Sequence, residues 1–227
     1  MDKKLLMDII QWDTVNWGNC IRLWRNYIQS PPPKLHCIEI GANKGGLSLW
    51  AALNGHNIIC SDLENPFAIA KPLHDKYKVT EKIEYQAVNI LDITYKEYFD
   101  IVFLKSILAV VGRNNHKDLQ DRAIESIYQS LKPGGKFLFA ENLAATKLHS
   151  FARKRFISWG SSVRYLQIGE MIELLKLFNR IEYQTFGFFG VFGRTEKQKR
   201  LLGKIDILLN RIIPKQWNYL IIGVATK

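Results

Sequence analysis

Between residues 35 and 142, short apolar runs alternate with amphipathic stretches, and this alternation constrains the fold more than any other feature of the chain. "KLHCIEIG" is a buried strand that stops at Gly41, and "GGLSLWAALNG" follows with Leu47, Leu49, Trp50 and Leu53 at helical spacing. "HNIICSD" is a second strand, and "NPFAIAKPLHDKY" is a helix with Pro72 as a kink or restart. "KIEYQAVNI" and "YFDIVFLKS" are the third and fourth strands. "HKDLQDRAIESIYQSL" is a helix with Leu119, Ala123, Ile127 and Leu131 on one face; it ends at the turn "KPGG", before a fifth strand, "KFLFAEN". Strands separated by helices at this spacing make a parallel sheet covered on both faces. The tail adds a helix, "MIELLKLFN", and two strands, "RIEYQTFGF" and "WNYLIIGVA", expected to pair at one edge. The expected fold is α/β: a Rossmann-like, seven-stranded, mostly parallel sheet with an antiparallel edge hairpin and helices on both faces.

The 227 residues suffice for one domain, and no Gly/Ser- or Pro-rich linker divides them. We divide the chain into an N-terminal helical cap (1–34), a cofactor-binding core (35–142), and substrate-side helices and edge strands (143–227). The cap contains "DTVNWGNCIRLWRNYIQ", a single amphipathic helix with Asp13 as its cap, ended by "PPP" at 31–33. Cys20, Cys37 and Cys60 form no CxxC pair and read as buried thiols of a reducing compartment. The N-terminus is too polar for a signal peptide, and no apolar run reaches the roughly 18 residues that span a bilayer. The expected location is cytoplasmic.

In such sheets ligands bind at the carboxyl ends of the strands. Strand one ends in Glu39, Gly41, Asn43 and Gly45, where glycines let backbone approach a ligand and turn into a helix. Strand two ends in Asp62, followed by Leu63, and a carboxylate here can accept two hydrogen bonds from a ribose diol. Strand three ends in Asn89 and Ile90, and strand four in Lys105 and Ser106. Alone, the spacing GxNxGG is a weak signal; residue types matching four strand ends together are a stronger one. The loop opens with an acid and lacks a full GxGxxG, so it fits a ligand without a pyrophosphate better than a nicotinamide dinucleotide.

This pattern resembles the class I S-adenosylmethionine-dependent methyltransferases. Their first motif is similar to Glu39-Ile-Gly41-Ala-Asn43-Lys-Gly45, with Asn43 replacing the middle glycine. Their second is matched by Asp62 in "IICSDL", and their third by Asn89 in "QAVNILDI", where an acid is usual. "FDIV" at 99–102 and "LKPGGKFLFAEN" at 131–142 complete the likeness, which covers about residues 35–142. The resemblance implies S-adenosyl-L-methionine as cofactor, bound by Glu39, Gly41, Asn43, Gly45, Asp62, Leu63, Asn89, Ile90, Lys105 and Ser106. The cofactor's cationic amino-acid end suits nearby carboxylates.

Displacement at a sulfonium needs alignment and, often, removal of a proton from the acceptor. We therefore single out His149 as base, Glu141 as a second acid/base group, and Arg153, four residues after His149, or Arg155 as a binder of an anionic group. His116 reads as a surface residue at a helix start. No metal-ligand cluster stands out. "YQTFGFFGVFGR" (183–194) serves either as core-filling edge and turn or as an apolar wall for a substrate. The basic segment from 194 to 215 has Leu201, Ile205, Leu208, Leu209 and Ile212 near helical spacing. It suits core packing or peripheral contact with a lipid surface.

The formal charge of +11 favours an anionic partner. The leading expectation is methylation of a hydroxyl or amine on a small-molecule or glycan acceptor, anionic or lipid-linked. An RNA or protein methyltransferase is the alternative, weakened by the absence of an appended RNA module and of an Asn/Asp-Pro-Pro-Tyr run. A cofactor-binding module without catalysis is a third reading.

Overall fold

A computed structural model describes residues 1–29, 34–156 and 162–227. Three short helices come first: α1 (Lys3–Ile10), α2 (Thr14–Trp17) and α3 (Asn19–Ile28). The single helix expected over 13–29 is thus broken at Gly18. Asn19 explains the break, since its Nδ2 donates to the carbonyls of Val15 and Asn16 and draws them away from the continuing ladder. Asp13 is not a cap. Its φ is +44° and its carboxylate makes no capping bond. The "PPP" stop lies outside the described residues.

The elements then alternate: β1 (His36–Ile40), α4 (Gly46–Leu53), β2 (Asn57–Asp62), α5 (Phe67–Lys76), β3 (Ile83–Ala87), β4 (Phe99–Lys105), α6 (Leu108–Val111), α7 (Lys117–Ser130) and β5 (Leu131–Asn142). Helix α5 runs through Pro72. The "KPGG" turn lies inside the strand as a bulge, because Phe99 pairs with Leu131 but Ile101 pairs with Lys136. After β5 come α8 (Lys147–Phe156), α9 (Ile168–Leu174), β6 (Arg180–Phe186), α10 (Glu196–Leu209) and β7 (Leu220–Thr226).

The sheet order is β3-β2-β1-β4-β5-β7-β6. The first five strands are parallel, while β7 runs antiparallel between β5 and β6. Strand alternation divides the core between the two faces. Cys37, Ile58, Ile101, Leu138 and Ile222 face Ile9, Trp24, Leu47 and Trp50 of α1, α3 and α4. Ile38, Val102, Phe137, Phe139 and Ile221 face Ile124, Ile127, Met171 and Leu174 of α7 and α9. Full burial of a side chain such as Phe103 contributes roughly 1.5–3 kcal/mol, and Trp24 also donates Nε1–H to the Gly223 carbonyl. Strand order reverses between β1 and β4, which opens a crevice at their carboxyl ends.

Candidate active site

The loop after β1 is built from left-handed residues. Gly41, Asn43 and Gly45 have φ of +69°, +49° and +68°. Asparagine is among the few residues that adopt this region readily, so Asn43 takes the backbone shape that a glycine would give. A Cβ on Gly45 would meet the His74 ring at 2.6 Å and Cys60 Sγ at 3.0 Å. The His74 ring is itself anchored to the Gly45 carbonyl. Glu39 is buried beneath the loop. Its carboxylate accepts from Leu47 N (3.2 Å), Ser48 N (2.6 Å) and Ser48 Oγ (2.6 Å), so it ties the start of α4 to the end of β1. Burial raises its pKa against these bonds.

Asp62 is fixed in the same way at the end of β2. One oxygen accepts from Asn43 N (2.9 Å) and the other from Leu63 N (2.8 Å). Each oxygen keeps a further lone pair, and the side chain is part-exposed. Asn89 is exposed and closes a turn by accepting from Leu91 N, while Ile90 is buried beside it. The Leu63 side chain is exposed. These groups fit S-adenosylmethionine: a left-handed cradle and a pinned carboxylate for a diol.

Beyond the cradle lies a cavity of about 930 Å³. Gly41, Ala42 and Asn43 line it on one side of the crevice, and Lys105, Ser106 and Ile107 on the other. Ser106 has φ +62° and accepts from Asn142 Nδ2. The remaining walls come from Gln11–Asp13 and Trp17 of the N-terminal cap, from α8, from Gly190–Arg194 and Lys199, and from Tyr219. The phenylalanine- and glycine-rich stretch therefore supplies cavity wall through Gly190, Val191 and Phe192.

Three of the lining groups have unusual surroundings. Lys105 is buried, its Nζ 3.3 Å from the centre of the Trp12 ring and 5.5 Å from that of Trp17. Burial lowers its pKa to about 8, against the nearby Glu39 and Glu141 charges. Arg153 is buried with its guanidinium 4.0 Å from the Tyr165 ring centre. Its Nη1 donates to the Leu143 carbonyl (2.6 Å), but Nη2 has no hydrogen-bond partner among the described residues. Asp13 is buried and accepts from the Tyr219 hydroxyl and from Asn16 Nδ2. Burial raises its pKa to about 6, against the Tyr219 bond and the Lys199 charge. The positive φ of Asp13 is backbone strain held by Glu196, whose carboxylate accepts from Asp13 N and Thr14 N.

Two expected acid/base residues lie elsewhere. His149 is buried outside the cavity lining, with Nδ1 bonded to Thr146 Oγ1 (2.7 Å) and Nε2 to the Phe188 carbonyl (2.9 Å). Neither nitrogen is free for an acceptor's proton, and burial lowers its pKa. It braces α8 against the turn after β6. Glu141 is also outside the lining. Its Oε1 accepts from Ile107 N and Leu108 N, which shapes the loop after β4, and burial raises its pKa to about 7. Of the three expected catalytic residues only Arg153 faces the cavity; Arg155 is exposed. Sequence reasoning missed Asp13, Tyr219, Trp12 and Tyr165. Of these only Asp13 carries a signal in the sequence, an acid at the start of a helical segment, and there it reads as a cap.

Residues 38–139 match the methyltransferase domain family. No curated protein matches the sequence. Among solved structures, the chain is similar to phosphoethanolamine N-methyltransferase 2 of Haemonchus contortus, crystallised with phosphomonomethylethanolamine and S-adenosylhomocysteine. That match has a TM-score of 0.64 and 20% identity over 93% of this chain, which spans 53% of that enzyme's length. A putative methyltransferase of Bacillus halodurans has a TM-score of 0.64 at 14% identity, over 92% of this chain and 99% of that one. Geranyl diphosphate C-methyltransferase of Streptomyces coelicolor, also solved with S-adenosyl-L-homocysteine, matches with a TM-score of 0.64 and 13% identity, over 92% and 78%.

Proposed function

We propose that the chain, whose residues 38–139 match a methyltransferase domain family, is a class I S-adenosylmethionine-dependent enzyme that methylates a hydroxyl or amine of a small, anionic acceptor held in the cavity beyond the cofactor loop. The single observation that carries this reading is the buried Arg153 guanidinium. It lines a cavity of about 930 Å³ that begins at Gly41, and its Nη2 lacks a partner among the described residues. A buried donor left unpaired costs about 1–3 kcal/mol, more when charged, and a phosphate or carboxylate oxygen on the acceptor would remove that cost. Two of the similar enzymes are named for phosphorylated substrates, which agrees with this chemistry.

When bound, the cofactor supplies a methyl group on a positively charged sulfur. Asp62 would hold its ribose, Asn89 and Ile90 its adenine, and the backbone from Gly41 to Asn43 its amino-acid end. Glu39 acts by holding the start of α4. The chain's own chemistry is to bind, orient and deprotonate the acceptor. Arg153 and Tyr165 orient its anionic end. Asp13, with a pKa near 6 and a hydrogen bond from Tyr219, is the group suited to take the acceptor's proton at neutral pH. Trp12 and Trp17 keep water from the Lys105 side of the cavity.

Titration of the chain with S-adenosylhomocysteine tests the cofactor half, and no binding at millimolar concentration would overturn it. A labelled-methyl transfer screen with paired phosphorylated and neutral acceptors tests the other half. Transfer to the charged member alone is expected, with KM raised about tenfold or more in Arg153→Gln, for the loss of about 1.5–3 kcal/mol from a charged hydrogen bond. Equal transfer to neutral acceptors, untouched by Arg153→Gln, would refute the anionic reading.

A further inference from the structure

Helix α10 has two faces of opposite character. Its inner face is bound into the molecule. Gly203 lies against Val15, where a Cβ would come within 2.7 Å of the Val15 side chain. Asp206 is buried and accepts from the backbone N–H groups of Phe188, Phe189 and Gly190 and from Asn16 Nδ2. Glu196 accepts from Asp13 N, Thr14 N and Thr14 Oγ1. The outer face is bare. Leu201 is 64% exposed, Ile205 36% and Leu208 78%, and Ile212, just past the helix end, is 77% exposed. Spacings of four and three residues set Leu201, Ile205 and Leu208 in one stripe along α10. Lys197, Arg200, Lys204, Arg211 and Lys215 are exposed around it.

The charge is one-sided for a reason visible in the structure. Between residues 194 and 217 the only acids are Glu196 and Asp206, and both are engaged on the inner face. The outer face therefore offers aliphatic groups ringed by cations alone.

We propose that this face docks on the surface of an anionic lipid bilayer, with α10 lying in the interface plane. The aliphatic stripe would enter the acyl boundary while the lysine and arginine heads reach lipid phosphates along flexible stems. No described helix is long and apolar enough to cross a membrane, so the contact is peripheral. Two other occupants fit worse. A two-fold contact with a second copy would set the same cations against each other. A nucleic acid would reward the cations but not four exposed aliphatic side chains. Gly193, Arg194 and Lys199, at the start of this segment, line the cavity, so docking would bring the cavity beside the lipid surface. The inference stands apart from the identity of the methyl acceptor.

Co-sedimentation of the full chain with vesicles tests it. The wild type should bind phosphatidylglycerol-containing vesicles at low salt and bind pure phosphatidylcholine at least tenfold more weakly. Each cation removed should cost about fivefold, so Lys197→Glu with Lys204→Glu should lower binding well over tenfold. Leu201→Glu with Leu208→Glu should do the same while leaving thermal stability and S-adenosylhomocysteine affinity unchanged, since these side chains face solvent. Absence of binding to anionic vesicles, or binding that survives the double leucine change, would overturn the proposal. So would a concentration-dependent dimer in light scattering that Leu208→Glu abolishes, with no vesicle binding.

Discussion

Replacing Glu39 by glutamine tests whether this acid works by holding the cofactor loop. The carboxylate accepts three hydrogen bonds, two at 2.6 Å, from Ser48 N and Ser48 Oγ, and one at 3.2 Å from Leu47 N. An amide keeps one acceptor oxygen but turns an NH2 group toward N–H donors that now lack a partner. Hydrogen bonds to a charged group are worth about 1.5–3 kcal/mol each, and relief from burying the charge offsets part of the loss, leaving roughly 2–4 kcal/mol of destabilisation. At about 2–4 °C per kcal/mol for a chain of this size, Tm should fall by about 4–16 °C. Ser48→Ala removes only one donor, so its loss should be about 1.5–3 kcal/mol at most, or about 3–12 °C. Thermal unfolding by circular dichroism, with titration of S-adenosylhomocysteine below the transition, reads both effects. Affinity should fall in Glu39→Gln because the left-handed loop loosens. An unchanged Tm in Glu39→Gln, or a larger loss in Ser48→Ala than in Glu39→Gln, would refute the reasoning.

Four further outcomes are expected. Asp62→Ala should weaken S-adenosylhomocysteine binding by about tenfold or more in calorimetry, the loss of one or two charged hydrogen bonds. Asn43→Gly should leave stability within about 0.5 kcal/mol, whereas Asn43→Val should cost about 1–2 kcal/mol in urea unfolding, because φ is +49° there. Lys105→Met should be more stable than wild type at pH 7. The folded pKa of Lys105 is depressed to about 8, so the unfolded chain binds the extra proton between about 8 and 10.5, and wild-type stability gains on the variant as pH rises through that window. Asp13, raised to about 6, must be ionised to accept a proton. Acceptor methylation should therefore fall as pH drops below about 6, and Asp13→Asn should cut activity by about 10²–10⁴-fold and flatten that limb in the activity that remains; an unchanged limb would remove Asp13 from the mechanism.

The strand-end half of the candidate site was legible because it is local. Each of Gly41, Asn43, Asp62 and Asn89 ends a strand whose apolar run is contiguous in the chain, so spacing alone puts them on one edge of the sheet. Even the departure at Asn43 had a local cause, a left-handed backbone that asparagine tolerates. The cavity beyond the loop was not legible. His149 and Arg153 lie four apart on α8, which a helix wheel places on one face. Yet His149 meets the Phe188 carbonyl and Arg153 meets the cavity, because different neighbours flank the two turns. Asp13 has the residue type and position of a helix cap, but Glu196, 183 residues away, holds its backbone in another conformation.

The sequence by itself determined the βαβ order, the two-faced core and the cofactor loop, since burial repeats at periods of two and 3.6 residues and the loop residues are neighbours in the chain. Only the tertiary structure decided what faces the cavity. Asp13, Lys105, Arg153 and Tyr219 converge because β7 runs between β5 and β6 and because α10 locks the N-terminal cap over the crevice. Such contacts depend on how helices are rotated against one another, and no periodicity within a single segment encodes that.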